Sequence, residues 1–397
     1  MWAGRRVVLG VSGGIACYKS CTLARRLTEA GALVDVVLTR AATEFVGPVT
    51  FEALTGRPVL TSLWERDRAL AHIRLAKDAD LIVVAPATAQ LIARAAQGLA
   101  DDLLTAMLLA RTAPVLLAPA MNDDMYAHPA TQANLGALVA RGYTVVGPEA
   151  GPLAEGPSDR PGRMSEPETI AAWAARLLAA HGALAGRHVV VTAGPTREPI
   201  DPVRMVTNRS SGKMGFALAE AAWSRGAEVT LVSGPVALPP PVGVHLRRVE
   251  TTAEMADAVA ELLPTADVLI MAAAPADYRP VDPADRKRPR HDGEFILRLA
   301  PTDDILLATR GARRPGSLVV GFALETGDAV AKGRAKLERK ALDLIVVNDM
   351  HDEGAGFEVD TNAVTILARD GAEIRVPLAA KRAVADVILD AVEARLG

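Results

Sequence analysis

Short apolar runs alternate with longer amphipathic stretches along the whole chain. In the first part, residues 7–11, 33–38, 81–85, 115–118 and 144–146 read as strands. Helical spacing lies between them, over residues 15–30, 67–77, 89–96 and 130–141. Residues 149–164 are rich in Gly and Pro and read as a flexible loop, and a helix is expected over 167–180. After a short linker at 181–186 the alternation restarts. Strands are expected at 188–192, 228–232, 268–272, 318–321 and 344–347, with an amphipathic helix at 216–225. Residues 363–376 read as a hairpin turning at Asp370-Gly371, a dipeptide that favours tight turns, and a closing helix is expected over 378–396. Such alternation builds right-handed βαβ units. The predicted class is therefore α/β, with two doubly wound, mostly parallel-sheet domains at residues 1–185 and 186–397.

Composition narrows the function classes. Half of the 397 residues are hydrophobic, ample for buried cores. A net charge of −3 points to neither a nucleic-acid nor a membrane partner. Cys17 and Cys21, the two cysteines, lie one helical turn apart and make no disulfide framework. We expect a cytoplasmic chain in which both are inert helix residues. The apolar runs are too short for a transmembrane helix, and residues 7–11 are too short for a signal-peptide core.

The most informative stretch runs from Thr192 to Gly215, between a strand and a helix. It is long, polar and dense in Gly, Pro, Ser, Asn and Arg, and connections of that kind are seldom mere wiring. Small residues let backbone amides approach an anion, and the following helix offers its positive end, so the loop reads as a phosphate-handling site. A second Gly-rich turn, Gly10-Val11-Ser12-Gly13-Gly14-Ile15-Ala16, leaves the first strand. It lacks the dinucleotide spacing, and the second strand ends at Thr39-Arg40 rather than at an acidic residue. A flavin mononucleotide or another phosphate ligand fits better than NAD.

Three more pieces belong with this turn: His72; Pro86-Ala87-Thr88-Ala89-Gln90 after the third strand; and Pro119-Ala120-Met121-Asn122-Asp123-Asp124-Met125-Tyr126 after the fourth. With them, residues 1–180 resemble the flavin-dependent cysteine decarboxylase family. The resemblance implies FMN held by Ser12, Gly13, Gly14, Ile15, Thr39, Ala87, Thr88, Ala89 and Gln90. It implies His72 as catalytic base and Asn122 as the grip on the substrate carboxylate. Gln90 stands where the family usually has Asn. The family's loop cysteine, in a Leu-Ala-Cys-Gly context, donates the last proton; this chain reads Leu153-Ala154-Glu155-Gly156. We expect Glu155 to be the acid, with its pKa raised by loop closure. Lone histidines on helices are commonly structural, Asp101-Asp102 suits a helix start, and Met107, Met121 and Met125 read as packing residues.

The second domain adds Ala272-Ala273-Ala274-Pro275-Ala276-Asp277-Tyr278-Arg279-Pro280, the basic run Arg286-Lys287-Arg288-Pro289-Arg290, Gly321-Phe322-Ala323-Leu324-Glu325-Thr326, and Lys336 with Lys340 on one helix face. No Walker sequence is present. With Asn208-Arg209-Ser210-Ser211-Gly212-Lys213-Met214-Gly215 and Asn348-Asp349, these resemble the phosphopantothenate–cysteine ligase family over residues 187–397. The resemblance implies a Rossmann-like ligase that binds CTP with Mg²⁺ through Ala273, Asp277, Lys287, Phe322, Lys336, Lys340 and the turn Thr302-Asp303-Asp304-Ile305. Thr302 and Asp303 depart from the family's Asn-Pro, and Lys287-Arg288-Pro289-Arg290 from its Lys-x-Lys-Lys. Asn208 would stabilise the acyl intermediate and Lys287 would act in the second step.

Decarboxylase and ligase fused in this order resemble the bacterial bifunctional coenzyme A biosynthesis family. That implies joining 4′-phosphopantothenate to cysteine through an acyl-cytidylate, then FMN-dependent decarboxylation to 4′-phosphopantetheine. It also implies a homo-oligomer of decarboxylase trimers and ligase dimers, with flavin sites between subunits. Two other readings stand beside it: an NAD(P)-dependent reductase, and a flavin-binding regulatory subunit that has lost decarboxylase activity.

Overall fold

The computed structural model describes residues 2–64, 70–290, 294–325, 327–349 and 359–396. The chain divides into two compact units, residues 1–180 and 181–397. No helix among the described residues is long and apolar enough to cross a membrane.

The first unit is a five-stranded sheet with the order β2-β1-β3-β4-β5, parallel throughout. Its strands are β1 (Arg6–Val11), β2 (Leu33–Leu38), β3 (Leu81–Ala87), β4 (Val115–Pro119) and β5 (Tyr143–Val145). Its helices are α1 (Cys17–Glu29), α2 (Pro48–Thr55), α3 (Ala71–Asp78), α4 (Ala89–Gln97), α5 (Leu103–Leu109), α6 (Asp123–Ala127), α7 (Pro129–Ala140) and α8 (Pro167–Leu178). Alternation along β1 explains the two covered faces. Val7, Leu9 and Val11 share a core with Leu23, Phe51 and Ile170, from α1, α2 and α8. Val8 enters the opposite core with Leu91, Leu104 and Leu138, from α4, α5 and α7. Gly10 has no room for a side chain, since a Cβ would lie 2.5 Å from Leu104 Cδ1. The strand order reverses between β1 and β3, and the crevice at such a reversal, beyond the strands' carboxyl ends, is where ligands bind.

The helices α2, α5 and α6 were not legible as periodic patterns. The sequence of α5, Leu-Leu-Thr-Ala-Met-Leu-Leu, is apolar nearly all round, and Asp102 starts it by accepting from Thr105 N at 2.8 Å. The helix expected at 67–77 is seen as α3, while positions 67–69 lie outside the described residues.

The second unit carries an eight-stranded sheet, β10-β9-β6-β11-β14-β15-β16-β17. These strands are β6 (His188–Ala193), β9 (Glu228–Ser233), β10 (His245–Arg248), β11 (Val268–Met271), β14 (Leu318–Glu325), β15 (Leu344–Asp349), β16 (Thr361–Ala368) and β17 (Glu373–Ala380). The first six are parallel in a Rossmann order, and the last two form an antiparallel hairpin at one edge. Two short antiparallel arms rise from loops: β7 (Arg197–Pro199) with β8 (Met205–Thr207), and β12 (Tyr278–Pro280) with β13 (Leu299–Pro301). The helices are α9 (Lys213–Ser224), α10 (Thr252–Leu262), α11 (Ile305–Ala308), α12 (Ala329–Arg339) and α13 (Lys381–Glu393).

The closing helix begins at Lys381 rather than 378, because residues 378–380 finish β17, where Ala380 pairs with Thr361. It is held against α9 by Arg225, which pairs with Asp386 at 3.2 Å, Asp390 at 2.7 Å and Glu393 at 2.9 Å. At the other end of α9, Gly215 lets the helix lie directly on β6: a Cβ there would be 2.8 Å from Thr192 O. This close approach fixes where the start of α9 faces.

Candidate active sites

In the first unit the switch-point crevice is a cleft of about 580 Å³. Gly13, Gly14 and Ile15 form one wall, Thr88, Ala89 and Gln90 a second, and Met121, Asn122 and Met125 a third. A smaller cavity of about 330 Å³ adjoins it and is lined by Ser12, Thr39, Thr88 and Gln90. Two expected flavin-holding groups are occupied within the protein. Ser12 is 2% exposed; its Oγ donates to Pro86 O at 2.7 Å and accepts from Thr88 N at 3.0 Å, tying the two turns together. Ala87 is fully buried at the end of β3, lines neither cavity, and its carbonyl accepts from Ala120 N.

The remaining walls suit a phosphate-bearing planar ring. The start of α1 carries no side-chain cap; Cys17 N and Lys19 N donate to Gly14 O and Ala16 O at 3.0 Å, within the small-residue turn that walls the cleft. Ile15 at 64%, Tyr18 at 60% and Met125 at 50% exposure line the same cleft. Apolar side chains displayed together in a concavity favour an aromatic ligand. Met107 packs in the core as expected, whereas Met125 faces the cleft. Asp102 both caps α5 and pairs with Arg94 at 2.9 Å on the smaller cavity. Cys17 is buried, and burial pushes its thiol up.

Asn122 and Glu155 are in contact. Asn122 Oδ1 accepts from Asp124 N at 2.9 Å and Met125 N at 3.1 Å, capping α6. That fixes the amide, and its Nδ2 donates to Glu155. Glu155 sits at the tip of a tight turn closed by Leu153 N to Gly156 O at 2.8 Å. The loop that carries it is pinned at several points: Ser158 Oγ donates to Asp123 at 2.6 Å, Arg160 pairs with Asp124 at 2.7 Å, and Lys19 donates to Met164 O at 2.9 Å. Donation from Ser158 holds the Asp123 carboxyl below its ordinary range. Lys19, Ser158 and Arg160 escaped the sequence reading, since nothing local marks a tether that forms across 35 to 145 residues. His72 stands apart. It lies in the first turn of α3, lines neither cavity, and its buried Nδ1 has no hydrogen-bond partner.

In the second unit, a cleft of about 280 Å³ lies beyond β6, β11, β14 and β15. Ala273, Asp277, Phe322 and Lys336 line it, as do Ser210, Ser211 and Lys213 from the long loop and the start of α9. Lys336 pairs with Glu325 at 2.5 Å. Asn208 reaches the rim, where its Nδ2 donates to Pro275 O at 2.8 Å and Ala274 O at 3.3 Å. Other expected nucleotide residues do not line this cleft. Ile305 is in the core at 4% exposure, Asp304 caps α11 and pairs with Lys340 at 2.9 Å, and Asp303 borders a separate cavity. Thr302 bonds to the cleft loop through Ala276 O at 2.6 Å and Asp277 O at 2.9 Å. Lys287 is exposed and outside the lining. Thr326 lies outside the described residues. Sequence reasoning missed Asn362 and Lys381, which the edge hairpin brings to the cleft from far along the chain.

Asp201 ties the turn between β7 and β8 to the segment at Arg288. Its buried carboxylate accepts from Val203 N and Arg204 N at 2.9 Å and from Arg288 N at 3.2 Å, and pairs with Arg204. Burial would raise its pKa, but the amide donors of Val203, Arg288 and Arg204 outweigh it and hold the carboxyl at about 2. A folded-state pKa below the ordinary 3.8 gives stability that is present above that value and lost as pH falls towards 2. Asp201→Asn should therefore remove part of the acid limb of unfolding. Thermal melts of wild type and variant between pH 5 and about 2 would check this; identical acid limbs would contradict it.

The comparisons with known proteins follow this division. The family model described as Flavoprotein matches residues 1–178, and the DNA/pantothenate metabolism flavoprotein C-terminal domain matches residues 184–396. The coenzyme A biosynthesis bifunctional protein CoaBC of Mycobacterium tuberculosis strain H37Rv is 49% identical over 403 residues, covering 98% of this chain and 96% of that protein. CoaBC of Bacillus subtilis strain 168 is 47% identical over 399 residues, covering 99% and 98%. A crystal structure of a CoaBC C-terminal domain is 42% identical, covering 54% of this chain and 98% of that one, with a TM-score of 0.46.

Proposed function

The chain belongs to the family of bifunctional coenzyme A biosynthesis proteins, and from that premise we propose how its two clefts share the work. The chain is a bifunctional enzyme: a CTP-dependent phosphopantothenate–cysteine ligase and a phosphopantothenoylcysteine decarboxylase. Residues 186–397 carry the ligase and residues 1–185 the decarboxylase. One observation supports this division most strongly. Residues scattered over more than a hundred positions, Ser211, Asp277, Phe322 and Lys336, converge on a single cleft.

In the ligase cleft, the carboxylate of 4′-phosphopantothenate attacks the α-phosphate of CTP and pyrophosphate leaves. Cysteine's amine then attacks the acyl carbon and CMP leaves. Phe322 packs against the base, Asp277 holds a ribose hydroxyl or the metal, and Lys336 meets phosphate charge once it exchanges Glu325 for it. Mg²⁺ bound with the triphosphate would offset its negative charge. Asn208 stabilises the acyl carbonyl. Lys287 serves the second step from its exposed segment, whose backbone Asp201 anchors through Arg288.

In the decarboxylase cleft, Gly13, Gly14, Ile15, Thr88 and Gln90 hold FMN, whose redox chemistry, when bound, lets the cysteinyl carboxylate leave as CO2. Asn122 grips that carboxylate, His72 takes a proton, and Glu155 donates the last one. His72 lines neither cavity of its own chain, which supports a role for it in the cleft of a neighbouring copy in a homo-oligomer. Assemblies of His72→Ala chains alone should lose about 10²–10⁴ in decarboxylation rate. Mixed assemblies of His72→Ala with Glu155→Gln chains should recover part of it, because some interfaces regain both groups. Absence of recovery would contradict sharing between subunits.

The division is tested with carboxyl-labelled cysteine. Pyrophosphate release should require 4′-phosphopantothenate and CTP, and labelled CO2 should require both of these plus cysteine. Labelled CO2 appearing without CTP would contradict it.

A further inference from the structure

The segment that carries Glu155 folds back on itself. Glu149 N donates to Arg163 O at 2.7 Å and Arg163 N to Glu149 O at 3.0 Å. Further out, Gly151 N donates to Ser158 O at 2.9 Å, and Leu153 and Gly156 close the tip with bonds of 2.8 and 3.1 Å. Glu155 thus rides at the far end of a narrow loop, and its flexible side chain places the carboxyl only as well as the backbone beneath it is held. Asp123 ties that loop to the residue beside it, Asn122. Asp123 Oδ1 accepts from Asp124 N at 2.8 Å, the same amide that Asn122 Oδ1 caps at 2.9 Å. Asp123 Oδ2 accepts from Ser158 Oγ at 2.6 Å, and Ser158 Oγ accepts from Arg160 N at 3.1 Å. One carboxylate therefore joins the returning limb of the loop to the first turn of α6. Gly162 lies flat on the same turn, where a Cβ would be 2.7 Å from Met121 O and 3.1 Å from Asp123 N. The Asp123 side chain is 15% exposed, whereas the carboxylate of the neighbouring Arg160–Asp124 pair is 80% exposed. Water screens the exposed pair, so the bond from Ser158 to Asp123 is the stronger tie.

We propose that Asp123 is a positioning residue of the decarboxylase: through Ser158 it fixes Glu155 against Asn122, so that the last proton is delivered before the ene-thiol escapes. The inference rests on the decarboxylase reading above and on Glu155 as its acid. In that last step Glu155 gives its proton to one carbon of the ene-thiol, and the other carbon takes the hydride stored on the cofactor by the earlier oxidation. The carboxylate left behind regains a proton from solvent. Oxidation and loss of CO2 come first and need no proton from Glu155, so a slack loop slows the last step alone.

The test uses the full-length chain, supplied with 4′-phosphopantothenoylcysteine and FMN. CO2 is counted against ene-thiol and saturated product by mass spectrometry after rapid quenching. Asp123→Ala should leave first-turnover CO2 release close to wild type and lower the saturated product formed per CO2 about 10- to 100-fold. Ser158→Ala should do the same, and the double variant should be no worse than either, because both remove one bond. Asp123→Asn can still bond Ser158, whose hydroxyl accepts as well as donates, and should keep most of the wild-type partition. A second readout needs neither substrate nor cofactor: in FMN-free protein, amide hydrogen exchange over residues 149–163 should quicken in Asp123→Ala and not in Asp123→Asn. An unchanged partition in Asp123→Ala, equal falls in CO2 and saturated product, or unchanged exchange would each overturn the proposal. Failure of the Glu155 reading looks different: Glu155→Gln would form saturated product at the wild-type rate, and the inference would fall with it.

Discussion

Glu155→Gln is expected to stop the decarboxylase after CO2 is lost, so that an oxidised ene-thiol accumulates in place of saturated 4′-phosphopantetheine. Glutamine keeps the length of the side chain and can still accept from Asn122, but it has no proton to give. The position is suited to an acid. Glu155 stands at the tip of the Leu153–Gly156 turn and lines the same cleft as Gly14 and Asn122. Loss of a positioned proton donor typically costs about 10²–10⁴ in rate, and the saturated product should fall by that much. Release of CO2 in the first turnover should persist, which separates a missing acid from a collapsed loop. Glu155→Cys restores a transferable proton at the same place and should recover much of the activity. Saturated product at the wild-type rate from Glu155→Gln would contradict the assignment. Product analysis by mass spectrometry after rapid quenching reads all three outcomes.

Asn208→Ala should produce the second large effect, confined to the ligase. Its amide rests on the carbonyls of Ala274 and Pro275, at the rim where β11 opens into the cleft. Those carbonyls hold the donor at the cleft rim, and in the proposed role an acyl carbonyl would replace them. Removing one donor to a developing oxyanion commonly costs about 10²–10³ in kcat. CTP binding through Phe322 and Asp277 should survive, so KM for CTP should move little. The decarboxylase belongs to the other unit, and its activity on supplied phosphopantothenoylcysteine should be unchanged. Pyrophosphate release and CO2 release, measured on the same preparation, check both halves of the expectation. A loss of both activities together would mean that Asn208 is structural.

The α/β class was legible because β-strands buried on both faces carry near-continuous Val, Leu and Ile, as in 81–85 and 268–271. The hairpin could be read at Asp370-Gly371, where Gly371 takes φ 91°. The short helices were not legible: α5 is apolar nearly all round, and the five residues of α6 are too few to show a period. Strand β17 hid the start of α13, because residues 378–380 are compatible with either element until Thr361 pairs with Ala380. Motif residues close together in sequence, such as Thr88 with Gln90 and Ala273 with Asp277, line their clefts as one group. What local pattern could not show was which polar atoms the protein itself uses. Ser12 is spent on Pro86 and Thr88, Ala87 on the core, and Asp304 on a helix cap. Nor could it show the buried cation Lys19, whose partner Met164 lies 145 residues away, or that Lys381 comes to the second unit's cleft.

The central claim is that one chain completes both reactions with Glu155 in the place of a cysteine acid. The most direct test is mass spectrometry of a single incubation of the purified protein with 4′-phosphopantothenate, cysteine, CTP, Mg²⁺ and FMN. The account predicts saturated 4′-phosphopantetheine as the final species. Arrest at 4′-phosphopantothenoylcysteine, or at the ene-thiol, would contradict it.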